Sequence, residues 1–316
     1  MSVSTPPRHT ATLAVDSRCA HGEGMLWCER RGVLFWVDIS GRRLWRHDPA
    51  SNVSRHWDLP DRPGCLGLFD DGRLLLALAK GVYVADLAKG VYVADPDAAA
   101  EADSALPLQH LADVEPERDD TRSNDGRADR HGNFVFGTMS EREDQAPVGS
   151  FYQWSARHGL RRLPLPGVAI PNAICFSADG RTLYYCDSVQ PRILCCDYDP
   201  DSAHTANSRV FAELDHAGAE PDGAIVDAEG HLWNAQWRAW QVVRYRPDGS
   251  VERRVALPVK HPTCPALGGA DGGTLYLSTS RQDHSEDELA RTPQAGGVYV
   301  AAVGIAGLPE GRIASA

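Results

Sequence analysis

Short runs rich in β-branched and aromatic residues recur along this chain, and most are followed by a turn in which Asp or Glu stands next to Gly. The runs VLFWV at 33–37 and LYY at 183–185 are examples. Side chains of these types favour strands, and Asp-Gly turns are typical of hairpins. No long stretch shows a sustained helical period. The pattern therefore predicts an all-β chain built from consecutive hairpins.

The hairpin unit occurs six times. The turn glycines of successive units stand 40 to 60 residues apart, and several short strands at such intervals are typical of propeller blades. We therefore predict an all-β fold, a six-bladed β-propeller with a central channel, because a closed ring leaves only short, protected strand edges. A pair of β-sandwiches fits six comparable units poorly. The six copies are Met25 to Pro49, Cys65 to Pro96, Gly126 to Trp154, Asn172 to Pro200, Gly223 to Gly249 and Pro265 to Val303.

The predicted boundaries describe one domain. Residues 10–305 form the propeller, and residues 1–9 and 306–316 are expected to be flexible termini. Residues Thr10 to Asp16 read as a strand that precedes the first copy. We expect this strand to become the outer strand of the last blade and to close the ring.

A tandem repeat interrupts the second copy, where LAKGVYVAD at 78–86 is repeated residue for residue at 87–95. Only one copy can fill the outer strand of blade two. Because nine is an odd number, a slip by one copy would reverse which side chains face inward. The second copy is either a duplication tolerated at a blade edge or a hairpin that shapes the channel mouth. An irregular connection is expected over 98–116.

Composition narrows the class of protein. The 316 residues carry a net charge of −11 and include no long basic run, which argues against nucleic-acid and anionic-membrane partners. No apolar stretch reaches the length of a membrane span, and the first residues have no apolar signal region. The eight cysteines form no C-x-x-C pair, as in a reducing compartment. We expect a cytoplasmic protein, monomeric or a weak homodimer.

Polar residues precede several inner strands, where a propeller brings them to the channel. Glu23 stands between two glycines, and Asn172 and Asp222 follow prolines just before apolar runs. Each is explained singly as an ordinary turn residue. Together they provide two carboxylates and an amide oxygen, the ligand type that hard divalent cations prefer. Three protein ligands would also leave open positions, which a catalytic metal needs.

Other site types are missing from the sequence. It contains no G-x-S-x-G elbow, H-E-x-x-H pair or phosphate-binding G-x-x-x-x-G-K motif. Three alternatives to an ester hydrolase of cyclic substrates stay open: a metal-dependent phosphotriesterase or other esterase, a calcium buffer, and a non-catalytic scaffold. The channel carboxylates argue against a scaffold, which does not need them.

Five segments, taken together and in order, resemble the senescence marker protein 30/gluconolactonase (regucalcin-like) family. They are GEGMLW, RSNDGRADRHGNFVFGTM, PNAICFSADGRTLYYCDS, EPDGAIVDAEGHLWNAQW and HPTCPALGGADGGTLYLSTS. The resemblance runs from about residue 22 to residue 280. It implies a six-bladed propeller with one divalent metal ion in the channel, and hydrolysis of a sugar lactone such as glucono-, xylono-, arabino- or galactonolactone. The ion is Ca²⁺, Mg²⁺, Mn²⁺, Zn²⁺ or Fe²⁺.

The resemblance also assigns roles to residues. It implies metal ligands at Glu23, Asn172 and Asp222 and substrate contacts at Arg122 and Asn124, with Asp222 the candidate catalytic residue. Three further side chains are expected to support the site: Asp125, Glu141 and His21. Trp237 and Trp240 are read either as a sugar-stacking wall or as blade packing.

One position departs from the family pattern. A glutamate that contacts substrate in some members aligns nearest to Arg142, within the stretch SERE at 140–143. This departure puts the third substrate contact in doubt and suggests a different sugar preference.

Overall fold

The computed structural model describes residues 8–86 and 106–315, which form strands, connecting turns and one short helix, α1 (Glu286–Arg291). None of these described elements is a helix long and apolar enough to cross a membrane. The strands are β1 (Arg8–Thr10), β2 (Thr12–Val15), β3 (Gly22–Cys28), β4 (Val33–Asp38), β5 (Arg43–Asp48), β6 (Val53–Asp58), β7 (Pro63–Phe69), β8 (Leu74–Leu78), β9 (Gly81–Ala85), β10 (Leu108–Asp113), β11 (Thr121–Ala128), β12 (Phe134–Ser140), β13 (Phe151–Ser155), β14 (Gly159–Arg162), β15 (Pro171–Phe176), β16 (Thr182–Asp187), β17 (Arg192–Asp199), β18 (His204–Glu213), β19 (Glu220–Val226), β20 (Leu232–Trp237), β21 (Gln241–Tyr245), β22 (Val251–Ala256), β23 (Pro262–Gly268), β24 (Thr274–Thr279), β25 (Val298–Ala302) and β26 (Arg312–Ile313).

The strands form six antiparallel sheets that correspond to the six predicted copies. Blades 1 to 5 are β3–β6, β7–β10, β11–β14, β15–β18 and β19–β22, and blade 6 is β23–β25 with β2. The first strands of successive blades contact one another, and the first strand of blade 6 contacts that of blade 1. This closed ring of inner strands confirms the six-bladed β-propeller.

The ring is closed by the N-terminal segment, as predicted. Strand β2 pairs antiparallel with β25, so that Thr12 lies opposite Val300 and Val15 opposite Val298. Blade 6 therefore combines strands from both ends of the chain. The preceding strand β1 adds in parallel to the outer edge of blade 5. The first copy of the tandem repeat supplies β9, and the second copy, 87–95, lies outside the described residues.

The hydrophobic core is divided among the interfaces between blades. Six clusters of buried side chains lie one at each interface. Between blades 3 and 4, for example, the Phe151 and Tyr185 rings pack edge to face with centroids 5.3 Å apart. Apolar burial at every interface holds neighbouring blades together, so the inner strands keep fixed positions around the channel.

The C-terminal segment is packed, so the expectation of a flexible terminus at 306–316 is wrong for residues 306–315. These residues, here called the C-terminal strap, cross the end of the channel. Ala306 accepts a hydrogen bond from Ala228 of blade 5, and β26 pairs in parallel with the inner strand β7 of blade 2. Ile313 is fully buried in the cluster between blades 2 and 3. Sequence patterning missed it because two residues are too short to show strand alternation.

The packing of Ile313 predicts a stability effect. Ile313→Ala should lower the free energy of unfolding by about 2–4 kcal/mol, because it removes buried methyl groups and leaves a cavity. Thermal unfolding followed by circular dichroism measures the change. Val210→Ala is the control, since the Val210 side chain is 47% exposed and should change stability little. Equal, small effects of both substitutions would contradict the packed position of the strap.

Candidate active site

A cavity of about 410 Å³ opens at the end of the channel where the inner strands begin. Its wall contains six of the eight residues singled out from the sequence, drawn from blades 1, 3, 4 and 5. The lining residues are His21, Glu23, Arg122, Asn124, Met139, Gln145, Ile170, Asn172, Ser188, Val189, Glu220, Asp222, Trp237, Arg238, Gln282 and Asp283. The structure thus brings together residues up to 201 positions apart in the sequence, from His21 to Asp222.

A β-bulge near the start of each inner strand aims these side chains into the channel. The pairing register shifts directly after Glu23, after Asn172 and around Asp222, and it shifts at the same level in the other three blades. A bulge places two consecutive residues opposite one, which re-aims a side chain out of the normal alternation. Gly24 and Ala173 follow two of the ligand positions with φ of 59° and 57°.

Glu23 and Asp222 form a buried pair of carboxylates. They are close enough to hydrogen-bond to each other, and each also accepts the backbone N–H of the glycine that follows it, at 2.8 and 3.1 Å. Burial, followed by the Asp125 carboxylate, raises the pKa of Glu23 to about 8. Burial and Glu23 raise the pKa of Asp222 well above its usual value. The pair therefore lacks enough positive charge nearby to stabilise two anions.

The amide of Asn172 has a defined orientation. Its Nδ2 donates a hydrogen bond of 2.9 Å to Oγ of Ser188, and Ser188 in turn donates to the Pro221 carbonyl at 2.6 Å. With the nitrogen engaged, Oδ1 is the atom left for the cavity. Ser188 was not singled out from the sequence, since a serine after a strand is an ordinary turn residue.

Backbone segments just before the ligands are anchored by carboxylates of the second strands. Asp38 accepts the N–H groups of Ala20 and His21 at 3.0 and 2.9 Å, two positions before Glu23. Asp187 does the same before Asn172, accepting two backbone N–H groups at 2.9 Å each. Charged acceptors make strong hydrogen bonds to backbone amides, so the chain enters each bulge in a fixed position.

The residues present fit a divalent cation. Glu23, Asn172 and Asp222 provide buried oxygen atoms directed at one place, and the two carboxylates need a positive partner. Among the described residues no three His, Cys, Asp or Glu side chains cluster as metal ligands, because the third member here is an amide. An all-oxygen set suits Ca²⁺, Mg²⁺ or Mn²⁺.

Arg122 and Asn124 lie beside this oxygen set on β11. Nη1 of Arg122 donates to Oδ1 of Asn124 at 3.0 Å, and Nδ2 of Asn124 donates to the Pro171 carbonyl at 2.9 Å. These bonds fix both side chains against blade 4. Burial, followed by Arg62, lowers the pKa of Arg122 to about 10, so it remains a cation at neutral pH. It is a positioned donor for an oxygen in the cavity.

Part of the cavity wall is aromatic. Trp237 lines the cavity and stacks on His261 with centroids 4.0 Å apart and planes 9° from parallel. His21 lies on the other side of Trp237, and its Nδ1 is 2.9 Å from Oγ of Ser280. Burial, followed by Arg122, lowers the pKa of His21 to about 3, so this side chain is neutral. Trp240 is not among the lining residues and is exposed.

Two residues expected to support the site lie behind the cavity wall. Asp125 accepts the N–H groups of Gly126 and Ile174, both at 2.8 Å, and so joins blade 3 to the bulge of blade 4. Glu141 is paired with Arg62, at 3.0 Å from Nη2, and lies 3.8 Å from Nε of Arg122.

Arg142 is turned away from the cavity. It pairs with Asp144 at 3.1 Å and with Asp120 at 3.6 Å, and it is absent from the lining. The family's third substrate contact therefore has no counterpart at this position.

The cavity rim carries a group that the sequence did not reveal. Arg238 pairs with Glu220 at 3.0 Å and with Asp283 at 3.6 Å, and this links the blade 5 hairpin to the loop before α1. Glu220 begins β19, Arg238 follows β20 and Asp283 precedes α1, so only the fold shows that the three residues meet. They place charged groups where a ligand would enter.

Comparison with known proteins decides the family. Residues 21–281 match the family described as the SMP-30/gluconolactonase/LRE-like region. The chain belongs to this family. It is 43% identical to the L-arabinolactonase of Azospirillum brasilense, over 98% of this chain and 97% of that protein.

Other SMP-30/gluconolactonase family members show similarity over nearly the whole chain. The 6-deoxy-6-sulfogluconolactonase of Pseudomonas putida is 32% identical over 92% of this chain and 93% of its own. The crystal structure of a calcium-binding regucalcin from Agrobacterium tumefaciens superposes with a TM-score of 0.86 at 28% identity, covering 98% of this chain and 99% of that one.

Glu23 lies beside another carboxylate, whereas Asp38 accepts backbone N–H groups, and this difference generates a prediction. Glu23→Gln should stabilise the metal-free protein at pH 8, raising its melting temperature by about 2 °C or more, because it relieves repulsion with Asp222. The same variant should lose the further rise that Ca²⁺ gives the wild type. Thermal unfolding with chelator and with CaCl₂ measures both effects.

Asp38→Asn is the matched control. Because the buried Asp38 carboxylate accepts the N–H groups of Ala20 and His21, its replacement by an amide should lower the melting temperature of the metal-free protein. If both variants were destabilised alike in chelator, Glu23 would be a structural carboxylate rather than one held ready for a cation.

Proposed function

We propose that this chain hydrolyses a neutral sugar lactone to the open-chain aldonate, using one divalent cation held by Glu23, Asn172 and Asp222. The observation that carries the proposal is the buried oxygen set beside Arg122 and Asn124, in the wall of a cavity of about 410 Å³ at the inner-strand entries. The lactonases among the relatives support a sugar lactone as the substrate.

Charge in the cavity supports a neutral substrate. The lining contains four carboxylates, Glu23, Glu220, Asp222 and Asp283, and two guanidinium groups, Arg122 and Arg238. A divalent cation balances the excess of two negative charges. A neutral lactone therefore enters the cation-loaded cavity without an electrostatic penalty.

The chain's own residues hold the substrate for attack. Arg122 presents its remaining guanidinium N–H groups to the ring or hydroxyl oxygens. Asn124 fixes that guanidinium through Oδ1, while its own Nδ2 is held by the Pro171 carbonyl and lies 3.4 Å from Oδ1 of Asn172, so binding is converted into orientation. Trp237 offers an apolar face to the C–H side of the sugar.

Proton transfer falls to Asp222. Its Oδ1 accepts the Gly223 N–H, which leaves Oδ2 to take the proton from the attacking water. The same proton is then passed to the ring oxygen as the acyl C–O bond breaks, which gives the free hydroxyl of the aldonate. A bound divalent ion supplies Lewis-acid polarisation of the lactone carbonyl and a lower pKa for water. Arg122 holds the substrate oxygen still while negative charge develops.

Among candidate substrates we favour an L-arabinonolactone. The Azospirillum brasilense relative named for that activity is 43% identical across nearly the whole of both chains. A sulfonated gluconolactone fits less well, because Arg238, the guanidinium at the rim, is already paired with Glu220 and Asp283. A cytoplasmic location and a monomeric or weakly dimeric state stay predictions.

The first test is hydrolysis itself. Proton release at pH 7 from L-arabinono-, D-glucono- and 6-deoxy-6-sulfogluconolactone should exceed the spontaneous rate only when Ca²⁺, Mg²⁺ or Mn²⁺ is returned to chelator-treated enzyme. Asp222→Asn should lower kcat/KM by about 10³-fold or more, because it removes both a ligand and the proton acceptor. Asp283→Asn, a rim substitution outside the oxygen set, is the control.

Two outcomes of this assay would contradict the lactonase proposal in different ways. Cleavage of an aryl phosphotriester, with no lactone turnover, would assign the site to a different ester. Calcium binding without turnover of any of these substrates would move the protein to a binding or scaffold role.

A second prediction concerns Arg122. Arg122→Met keeps the length of the side chain and removes its donors and its charge, so kcat/KM should fall about 10²–10³-fold, while the affinity for Ca²⁺ should not fall, because a cation beside the oxygen set has been removed. Steady-state kinetics and calorimetric titration measure the two quantities. A loss of metal affinity equal to the loss of activity would show that Arg122 supports the oxygen set instead of the substrate.

A further inference from the structure

The C-terminal strap closes the end of the channel opposite the cavity. The site residues stand at the beginnings of the inner strands, whereas the strap contacts their ends, such as Phe69 and Val226. Two small spaces, of about 20 and 10 Å³, lie between the strap and the inner strands, room for about one water each. A larger space of about 290 Å³ beside Ala314 and Ser315 is lined by hairpin turns of blades 3 and 4 and not by the channel. The channel therefore opens to solvent at the cavity end.

The strap also brings a carboxylate to an arginine inside the channel. Arg127, on the inner strand β11, has a side chain only 14% exposed, and its Nη1 lies 2.6 Å from Oε1 of Glu310. Nη2 lies 3.4 Å from the Met25 carbonyl and 3.9 Å from Sγ of Cys264. Burial opposes the charge of Arg127, but Glu310, Cys264 and Asp125 act together to raise its pKa above the usual value.

Arg127 lies in the channel between the candidate metal site and the strap. Met25, whose carbonyl it approaches, is two residues beyond Glu23 on the same strand, and strands rise about 3.3 Å per residue. The guanidinium is therefore on the order of 10 Å from the backbone of Glu23. The strap shields this part of the channel from water. At this distance an unbalanced positive charge repels a divalent cation.

We propose that Glu310 is a positioning residue for the metal site: by neutralising Arg127 from below, it keeps the channel electrostatically able to bind a divalent cation. The inference rests on the proposed metal site and assigns to the strap a role in metal affinity in addition to packing. Glu310 contacts neither the substrate nor the cation.

Calorimetric titration of the chelator-treated full chain with CaCl₂ tests this role without an activity assay. Glu310→Gln should raise the dissociation constant for Ca²⁺ about tenfold, as Coulomb's law gives for charges about 10 Å apart at an effective dielectric constant of about 40. The double variant Arg127→Met with Glu310→Gln removes both charges. It should return the dissociation constant to within about threefold of the wild-type value.

Arg312→Gln is the matched control. Arg312 belongs to the strap and pairs with Glu29 at 2.9 Å, outside the channel, so its loss weakens the attachment of the strap without changing charge in the channel. Its Ca²⁺ affinity should stay within about threefold of wild type. Melting temperatures of all variants show whether each remains folded.

The outcomes separate the two proposals. Unchanged Ca²⁺ affinity in Glu310→Gln, or a double variant as weak as the single one, would overturn the role of Glu310 while leaving the metal site in place. A folded wild-type chain that binds no divalent ion would overturn the metal site, and the inference with it.

Discussion

The electrostatic repulsion between Glu23 and Asp222 sets the requirements that the rest of the site meets. Two carboxylates held together in a buried channel destabilise the metal-free protein, as the raised pKa of both groups indicates. They would separate if the backbone allowed it. The closed ring prevents this, because each inner strand is wedged between two neighbours and each interface between blades is filled with apolar side chains. Packing far from the cavity thus holds like charges together.

Bulges and hydrogen bonds near the inner-strand entries fix the proposed ligands more closely than the ring alone does. Bulges turn the ligands inward, and the carboxylates of Asp38 and Asp187 hold the backbone that leads into two of them. Ser188 fixes the amide of Asn172 through one bond and blade 5 through another. These supports are hydrogen bonds to the backbone or between buried side chains. They restrict the motion of the ligand side chains and add no positive charge to the site. The site is preorganised for a cation before one arrives.

The sequence predicted the fold and six candidate residues that line the cavity, since both leave local marks. Repeated turns indicate blades, and a carboxylate or amide directly before an apolar run indicates the entry of an inner strand. The rest depends on contacts between segments remote in sequence. In the sequence Ser188 is an ordinary turn residue, and only the folded chain shows its hydrogen bond with Asn172. The ion pairs of Arg238 with Glu220 and Asp283 likewise form only in the folded chain. The strap carries too few patterned residues to be read as part of a propeller.

The two ends of the channel are unequal, and their difference has a physical reason. The cavity end must admit a substrate and a cation, so it retains exposed charges such as Arg238 and Asp283. The other end must exclude water, because the same charges interact more weakly in a solvated channel. A strap that fills this end and brings Glu310 to Arg127 meets both needs with one segment. Closure and charge balance at the strap end of the channel therefore support an open, cation-binding site at the cavity end.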